Sequence, residues 1–248
     1  DGTNTSSQET VTISLNDVNE FTPVVDGGQS FSIAENAAAT TNVGTATATD
    51  GDATAVLQNW QITGGDTGNA FEINAATGQI RVLTMAAVDI ETTPIFNLTV
   101  TVSDGTNTSA VETLTINLTD VNEFIPAVDG GQTFAIDENL GNTSVVGTLT
   151  AQDADATAML SGWSIVSGNT GGAFALNAVS GQLTVANSNA LDREMIASIT
   201  LMVTVSDGTN TSSQETVTIS LNDVNEFTPV VDGGQSFSIA ENAAATTN

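Results

Sequence analysis

The chain has 248 residues, with 29 Asp and Glu against two Lys and Arg and no His, so its formal net charge is −27. This balance argues against nucleic acid and anionic membranes as partners, because both require clustered cations, and it favours metal cations or a salty exterior. Cys is absent, which excludes disulfide bonds and thiolate zinc sites. No apolar run approaches the roughly 20 residues that cross a bilayer, so no membrane insertion is predicted for this segment.

Internal repetition dominates the sequence. Residues 1–42 are identical to residues 207–248, and a looser repeat with half that offset, 103 residues, aligns "GGQSFSIAEN" from Gly27 with "GGQTFAIDEN" from Gly130. A period this long favours separate domains in tandem, since solenoids repeat every 20 to 50 residues. The predicted domains are a C-terminal strand fragment of a preceding repeat at 1–20, whole repeats at 21–123 and 124–226, and an N-terminal strand fragment of a following repeat at 227–248. We therefore expect a segment of a longer protein.

The first elements of a repeat are a turn and a short Ala-rich stretch. "VDGGQ" occurs at residues 25, 128 and 231, and its Gly pair predicts a tight turn, because Gly adopts positive φ at little cost. A carboxylate poised beside a permissive backbone is the alternative interpretation. "NAAAT" at 36–40 is too short and too poorly bounded to predict a helix.

The middle of each repeat carries a single Trp. Trp60 in "NWQI" and Trp163 in "GWSI" occupy matching positions. Bulky aromatic side chains usually fill cores, so both are predicted to be buried, and an exposed sugar-stacking role is the alternative.

The last part of each repeat alternates apolar and polar residues. "FNLTVTV" at 96–102 and "ETLTINL" at 112–118 each place their apolar side chains on one face, as half-buried strands do. Clusters of Gly and Asn separate the runs, and no stretch has a helical period. We predict an all-β protein of tandem seven-stranded Greek-key sandwiches of the immunoglobulin-like kind, with about seven strands in roughly 100 residues.

An acidic linker recurs between the repeats. "DVNEF" stands at 17–21, 120–124 and 223–227, and a proline follows each copy after one intervening residue. Calcium takes 6 to 8 oxygen ligands, and these residues offer carboxylate, amide and backbone oxygens in an extended segment. One linker cannot complete a coordination sphere, so the remaining ligands must come from the joined repeats. A lone acidic tetrapeptide before proline is more typical of a solvated turn, and only the matched acidic sets favour calcium.

The ordered motifs resemble a known family. The order "AEN", "TDGD", "NWQITGGDTGNAFEINAATGQI", "VDIE", "VTVSDG" and "DVNEFTP" resembles a cadherin repeat of the bacterial cadherin-like kind. The second repeat is similar, with "DEN", "QDAD", "GWSIVSGNTGGAFALNAVSGQL", "LDRE", "VTVSDG" and "DVNEFTP". This resemblance implies tandem β-sandwiches that bind calcium between neighbours, with roles in adhesion or in surface and matrix structure.

The resemblance also implies the ligands. The central joint would use Glu35, Asp89, Glu91, Asp120, Asn122, Glu123, Asp153, Asp155 and Asp207. The first linker would combine Asp17, Asn19 and Glu20 with Asp50, Asp52 and Asp104, and the last would combine Glu138, Asp192 and Glu194 with Asp223, Asn225 and Glu226. Each outer joint therefore lacks three carboxylates of the central set. The fifth linker residue is Phe where the family usually has Asn, which leaves only its carbonyl as a ligand. The "DAD" and "DGD" pairs lack the Gly and Asn that often follow them in the family, which leaves open the number of calcium ions per joint.

Catalysis finds no support in the sequence, because Ser and Thr have neither His nor Cys beside them. The predicted function is that of a calcium-rigidified extender of a large extracellular bacterial adhesin or surface filament, at the cell surface or secreted. Its predicted partners are neighbouring repeats of the same chain and further copies in homophilic or filament assembly. The alternative is a calcium-dependent carbohydrate-binding module with a polysaccharide partner, which the aromatic content of 4% disfavours.

Overall fold

A computed structural model describes residues 2–241. The chain divides into two compact units. Unit 1 contains Asp1–Ala127, Gln152–Leu160 and Ser206–Ser212, and unit 2 contains Val128–Ala151, Ser161–Val205 and Ser213–Asn248. Unit 1 therefore holds the first repeat, the central linker and two loops of the second repeat. No helix in the described part of the chain is long and apolar enough to cross a bilayer.

The first repeat is a β-sandwich. Its strands are β1 (Val24–Val25), β2 (Ser30–Ala34), β3 (Asn42–Thr45), β4 (Ala48–Thr49), β5 (Gln58–Gly64), β6 (Phe71–Ile73), β7 (Gln79–Val82), β8 (Ile95–Ser103) and β9 (Glu112–Thr119), with 3-10 turns at Thr67–Asn69 and Met85–Ala87. One sheet has the order β2-β9-β8-β5 and the other β3-β7-β6, while β1 pairs with β4. β2 runs parallel to β9, and β8 runs antiparallel to β9.

The core of the first repeat lies where the alternation places it. The alternating apolar side chains of residues 96–102 in β8 and 114–118 in β9 are buried: Phe96, Leu98, Val100, Val102, Leu114, Ile116 and Leu118. Trp60 is also buried, and Phe71 meets Phe96 edge-on with ring centroids 5.0 Å apart. The predicted strand faces and the predicted burial of this Trp are confirmed.

The turn in "VDGGQ" lies between β1 and β2. Gly28 has φ of +72°, a conformation that favours Gly, and it changes the chain's direction so that β1 pairs with β4 while β2 pairs with β9. The predicted turn is confirmed. The repeat has nine strand segments rather than about seven, because two strands are interrupted. One is divided into β1 and β2, and the other into β3 and β4.

The second repeat has the same order of elements. Its strands are β10 (Ala127–Val128), β11 (Gln132–Asp137), β12 (Val145–Thr148), β13 (Ala151–Gln152), β14 (Ser161–Ser167), β15 (Phe174–Leu176), β16 (Gln182–Val185), β17 (Ser198–Ser206) and β18 (Glu215–Asn222), with 3-10 turns at Thr170–Gly172 and Ser188–Ala190. The sheets have the orders β11-β18-β17-β14, β12-β16-β15 and β10-β13. Trp163 is buried, as predicted, together with Leu201 and Ile219.

The two ends of the chain form no strand within the described residues. Residues 2–23 and 223–241 have none, and residues 1 and 242–248 of the two expected terminal fragments lie outside the described part. A strand needs a neighbour to pair its backbone groups. The assignment of these ends to neighbouring repeats stays a prediction.

Candidate metal centre

Acidic side chains from four loops and the central linker meet in unit 1. Glu35 directly follows β2, Glu91 lies between the 3-10 turn Met85–Ala87 and β8, and the linker follows β9. The two loops of the second repeat that belong to this unit bring Asp153, Asp155 and Asp207. The strands thus fix the ends of the loops that carry the acids.

The carboxylates form three groups that share members. In each group, one oxygen of every residue lies within 4.8 Å of the others. The groups are Glu35 with Glu91 and Glu123, Glu91 with Asp120 and Asp155, and Asp153 with Asp155 and Asp207. Seven of the eight carboxylates predicted for the central joint are therefore close together, and we call these seven residues the central cluster.

Backbone N–H groups hold Glu35 at the base of the central cluster. Its side chain is 2% exposed, Oε1 accepts from Val121 N at 2.7 Å, and Oε2 accepts from Ile90 N at 2.9 Å. These two bonds connect the end of β2 to the linker and to the loop that carries Glu91.

Asp155 holds the linker from the other side. Its carboxylate accepts from Glu123 N at 3.0 Å and from Phe124 N at 3.2 Å. The neighbouring Asp153 accepts from Asp155 N at 3.1 Å through Oδ1, whereas its Oδ2 is buried and has no hydrogen-bond partner. A buried carboxylate oxygen without a partner is costly, so this atom indicates a missing positively charged or donating ligand.

Two Asn residues that sequence reasoning did not include also belong to this centre. Asn210 Nδ2 donates to Asn122 Oδ1 at 3.2 Å and to Phe124 O at 3.1 Å, and so positions the linker amide and carbonyl predicted as ligands. Asn36 Nδ2 donates to Glu123 Oε1 at 2.8 Å. The recurrence of "SDGTN" and of "EN" at matching repeat positions was the available sequence signal.

Asp89 is the predicted carboxylate that lies outside the central cluster. Its two oxygens accept from Thr92 N and Thr92 Oγ1, each at 3.0 Å, and so close a turn before β8. The interpretation of Asp89 as a ligand therefore stays a prediction.

Burial and neighbouring groups shift the pKa of several carboxyl groups in the central cluster. Burial, followed by the nearby charge of Glu35, raises the pKa of Glu91 and of Glu123. Burial and the charges of Asp155 and Asp207 likewise raise the pKa of Asp153. Burial acts in the same sense on Asp207, but its N–H donors outweigh it and the pKa of Asp207 is lowered.

Within residues 2–241, which the structure describes, no basic side chain pairs with the central cluster. Arg81 and Arg193 are the two cations in the sequence. The guanidinium of Arg81 donates to Gln79 in β7, and the charge of Arg193 helps to lower the pKa of Glu138. Carboxylates crowded together without a cation repel one another, and two of the seven, Glu35 and Asp155, are buried, so the cluster favours binding of a metal cation.

A smaller acidic group of the first repeat lies beside the first linker. Asp50, Asp52 and Asp104 each have an oxygen within 4.8 Å of the others, and Asp50 Oδ2 is buried without a partner. Asp52 accepts from Glu20 N at 3.3 Å and from Phe21 N at 2.9 Å.

The predicted side chains of this linker lie beside that group. Asp17 accepts from Thr54 N at 3.0 Å, and the Thr54 hydroxyl lowers the pKa of Asp17. In the amide orientation that satisfies its neighbours, Asn19 donates to Asp104 Oδ2 at 3.0 Å. The Glu20 carboxylate is in none of the acidic groups of the described chain.

Unit 2 contains the third acidic group. Glu138, Asp192 and Glu194 meet within 4.8 Å, and Glu226 helps to line a cavity of about 220 Å³ beside Glu138 and Asp192. The N–H of Val224 donates to Glu138 Oε1 at 2.8 Å and, with that of Arg193, lowers the pKa of Glu138. Asp223 is not a member of the group, but its side chain bonds to Glu194 and helps to raise the pKa of Glu194, while the assignment of Asn225 as a ligand stays a prediction.

The ligand chemistry in these groups fits a hard cation. The donors are carboxylate, amide and backbone oxygens, and the sequence has neither His nor Cys. Calcium prefers such oxygens, whereas zinc and copper prefer nitrogen and sulfur. The buried, unpartnered oxygens of Asp50 and Asp153 are consistent with this fit.

Similar proteins identify the fold family of the sandwiches. The family model of the cadherin domain matches residues 29–119 and 132–222. Protocadherin Fat 4 of Homo sapiens is 32% identical over 229 residues, which are 90% of this chain and 4% of that protein. The protocadherin-like wing polarity protein stan of Drosophila melanogaster is 32% identical over 234 residues, 90% of this chain and 6% of that protein. The chain thus spans a small fraction of these relatives, and their animal origin does not support the predicted bacterial source.

Solved structures show the same architecture. The human desmocollin-1 ectodomain has a TM-score of 0.68 at 24% identity and covers 85% of this chain and 44% of its own. Mouse cadherin-23 EC22-24 has a TM-score of 0.66 at 23% identity, and the match covers 84% of this chain and 67% of the cadherin-23 chain. The predicted all-β tandem sandwich is confirmed, and the chain belongs to the cadherin family and has two cadherin domains.

Proposed function

We propose that this segment is a calcium-rigidified extender in a large extracellular adhesion protein. The observation that carries the proposal is the set of Asp153, Asp155 and Asp207, in which one buried carboxylate oxygen has no hydrogen-bond partner. A metal ion would supply the missing positive charge. It would also stabilise the conformation in which loops of the second repeat lie against the linker in unit 1.

The residues of the central cluster have separable roles in this function. Glu35 and Asp155 fix the linker through backbone N–H groups and would also offer oxygens to the ion. Asp120 connects to the loop of the second repeat by accepting from Thr157. When bound, calcium supplies charge neutralisation and oxygen coordination. Removing it would restore repulsion among at least seven carboxylates, so the linker should become mobile.

Adhesion and matrix assembly are the proposed biological roles, outside the cell or at its surface. The tandem domains and the net charge of −27 support an extended module that is stabilised by cations. A bacterial adhesin or surface filament is the finer form of the proposal, and neighbouring repeats and further copies of the chain are its proposed partners. The carbohydrate-binding alternative loses its stacking platform, because Trp60 and Trp163 are buried. No enzymatic role is proposed.

The test is calcium titration of the 248-residue chain by calorimetry, combined with small-angle scattering in calcium and in chelator. We expect saturable calcium binding. We also expect the distribution of interatomic distances obtained from the scattering to be narrower in calcium than in chelator. Asp153→Asn should weaken the binding. Asp129→Asn removes the same charge from a residue outside the acidic groups and should not weaken it. Equal titrations of both variants, or a scattering profile that ignores calcium, would contradict the proposal.

A further inference from the structure

The two repeats form the same turn, which begins at an acidic residue before the last two strands. Asp89 begins this turn in the first repeat, and Asp192 begins it at the matching position of the second. In both repeats the N–H four residues on donates to the carbonyl of the Asp, at 2.8 and 2.9 Å. Asp89 Oδ1 accepts from Thr92 N at 3.0 Å, and Asp192 Oδ1 accepts from Met195 N at 2.9 Å. The carbonyl and one carboxylate oxygen of the Asp therefore have equivalent partners in both turns.

The two turns differ at the second carboxylate oxygen. Thr92 Oγ1 donates to Asp89 Oδ2 at 3.0 Å, whereas Met195 has a thioether and offers Asp192 no hydroxyl. Asp192 belongs to the acidic group of unit 2, while Asp89 belongs to none of the acidic groups among the described residues. The hydroxyl is thus present where the Asp lies outside an acidic group and absent where it lies inside one.

Other parts of the surroundings match between the two repeats. Glu35 and Glu138 are each 2% exposed, and each accepts one N–H from a linker and one from the loop that carries the Asp. The acid two positions after the Asp joins an acidic group in both repeats. The loop also differs at Ile90, whose place Arg193 takes in the second repeat. Neither the buried Glu nor the second acid of the motif explains why only one Asp lies in an acidic group.

We infer that the hydroxyl of Thr92 holds Asp89 out of the central cluster and thereby weakens calcium binding there. The inference rests on the proposed calcium function. An ion that recruits Asp89 Oδ2 must displace the Thr92 hydroxyl from it, so the hydrogen bond competes with the ion. Calcium affinity rises with the number and charge of the ligands, and withholding one carboxylate lowers it. Thr92 is a positioning residue that makes this joint release calcium more readily than its acidic motif implies.

The first experiment removes the hydroxyl and measures calcium affinity by calorimetry on the 248-residue chain. Thr92 is exposed, so Thr92→Val leaves the core intact while it frees Asp89 Oδ2. The gain of one carboxylate should tighten binding at the central cluster by about tenfold. Thr92→Ser keeps a hydroxyl and should bind calcium like the unchanged chain. The matched control Thr93→Val makes the same change one residue along, and it should not tighten binding either.

A double-mutant cycle assigns the gain to Asp89. In the unchanged chain Asp89→Ala should alter calcium affinity by less than about threefold, because Thr92 already holds this carboxylate. In the Thr92→Val chain the same Asp89→Ala change should remove the whole gain, about tenfold. Equal effects of Asp89→Ala in both chains would overturn the inference.

Thermal unfolding supplies a measurement that includes the metal-free chain. In chelator, Thr92→Val should unfold at a lower temperature than the unchanged chain, because Asp89 loses a hydrogen-bond donor. In saturating calcium the order should reverse, since tighter binding stabilises the folded state further. A variant that is destabilised equally in chelator and in calcium would have lost a structural bond without gaining a ligand, and this would overturn the inference.

The outcomes separate this inference from the proposed function. If the chain binds calcium and Thr92→Val does not tighten the binding, the role of Thr92 is overturned and the calcium function stands. If Ile90→Arg tightens it instead, Arg193 rather than the missing hydroxyl accounts for the difference between the repeats, and the inference again fails. Absence of any calcium binding overturns both.

Discussion

One octapeptide, "ETVTISLN", has two structures in this protein. At residues 215–222 it is strand β18, where Val217, Ile219 and Leu221 are at most 4% exposed. At residues 9–16 it forms no strand, and the matching side chains of Val11, Ile13 and Leu15 are between 82% and 92% exposed. The reverse holds for "SFSIA", which is β2 at residues 30–34 and forms no strand at residues 236–240.

The difference arises from neighbours, because composition and local propensity are the same in both copies. β18 has β11 on one side and β17 on the other, so its N–H and C=O groups and its apolar face are all satisfied. Residues 9–16 have no such strands beside them in the described chain. An isolated strand in water cannot offset the entropy of ordering its backbone.

The largest test of this comparison is the same substitution in both copies. Ile219→Ala should lower the free energy of unfolding of the second repeat by about 2–5 kcal/mol, because Ile219 is fully buried. Ile13→Ala should change it by less than about 0.5 kcal/mol. Denaturant unfolding of the two variants decides the matter, and similar losses would show that residues 9–16 do pack in solution.

The edge strand should show a smaller contrast. Ile33→Ala should destabilise the first repeat by about 2 kcal/mol, near the lower end for such a truncation because β2 is a terminal strand that remains 9% exposed at this residue. Ile239→Ala should leave the unfolding of the monomer unchanged. Denaturant unfolding of the two variants measures both effects, and an equal effect of both changes would contradict this contrast.

The three copies of "DVNE" extend the comparison to the metal sites. Asp120→Ala should weaken calcium binding at the central cluster at least about tenfold, or ~1.4 kcal/mol, because Asp120 belongs to that cluster and holds the loop at Thr157. Asp223→Ala should leave the tightest site unchanged, as should Asp66→Ala, which alters no acidic group. Calorimetric titrations that do not distinguish Asp120→Ala from Asp66→Ala would refute this assignment of ligands.

Equivalent turns in the two repeats give the smallest predicted effect. Asp66 Oδ1 accepts from Phe71 N at 3.2 Å, whereas the matching Asn169 both accepts from Phe174 N and donates to Phe174 O. Asp66→Asn should therefore stabilise the first repeat by about 1 kcal/mol at neutral pH.

The stabilisation by Asp66→Asn should depend on pH, in a direction that the raised pKa of Asp66 determines. Burial raises the pKa of Asp66, so the folded state keeps its proton to higher pH than the unfolded state. The stability from the protonated form is present at low pH and is lost as pH rises through the raised pKa. The advantage of Asp66→Asn should consequently shrink on acidification, and thermal unfolding at several pH values measures it. A constant advantage would indicate that the carboxyl group does not cause it.

Much of the fold followed from periodicity and repetition. Alternation in "FNLTVTV" and "ETLTINL" was sufficient to predict the buried faces of β8 and β9, since a strand has a period of two. The division of the first strand into β1 and β2 was not predicted. It depends on which sheet each piece pairs with, and the sequence shows only the Gly pair that permits the turn.

The site was partly predictable for a similar reason. The resemblance of the ordered motifs to a cadherin repeat implied the seven carboxylates that meet in the central cluster. The role of Asn210 was missed, since it depends on a long-range contact with Asn122 and Phe124. Asp89 is the opposite case, because its motif matches the acidic pattern while its oxygens bond to Thr92.

The sequence by itself determined the strand periods, the turn at Gly28, the buried Trp residues and the supply of acidic oxygens. Each of these depends on side-chain chemistry or backbone sterics within a few residues. Only the tertiary structure decided which of two identical segments becomes a strand and which carboxylates meet. Strand pairing and ion clustering are interactions between residues far apart in the chain, so their free energy depends on the neighbours that the fold provides.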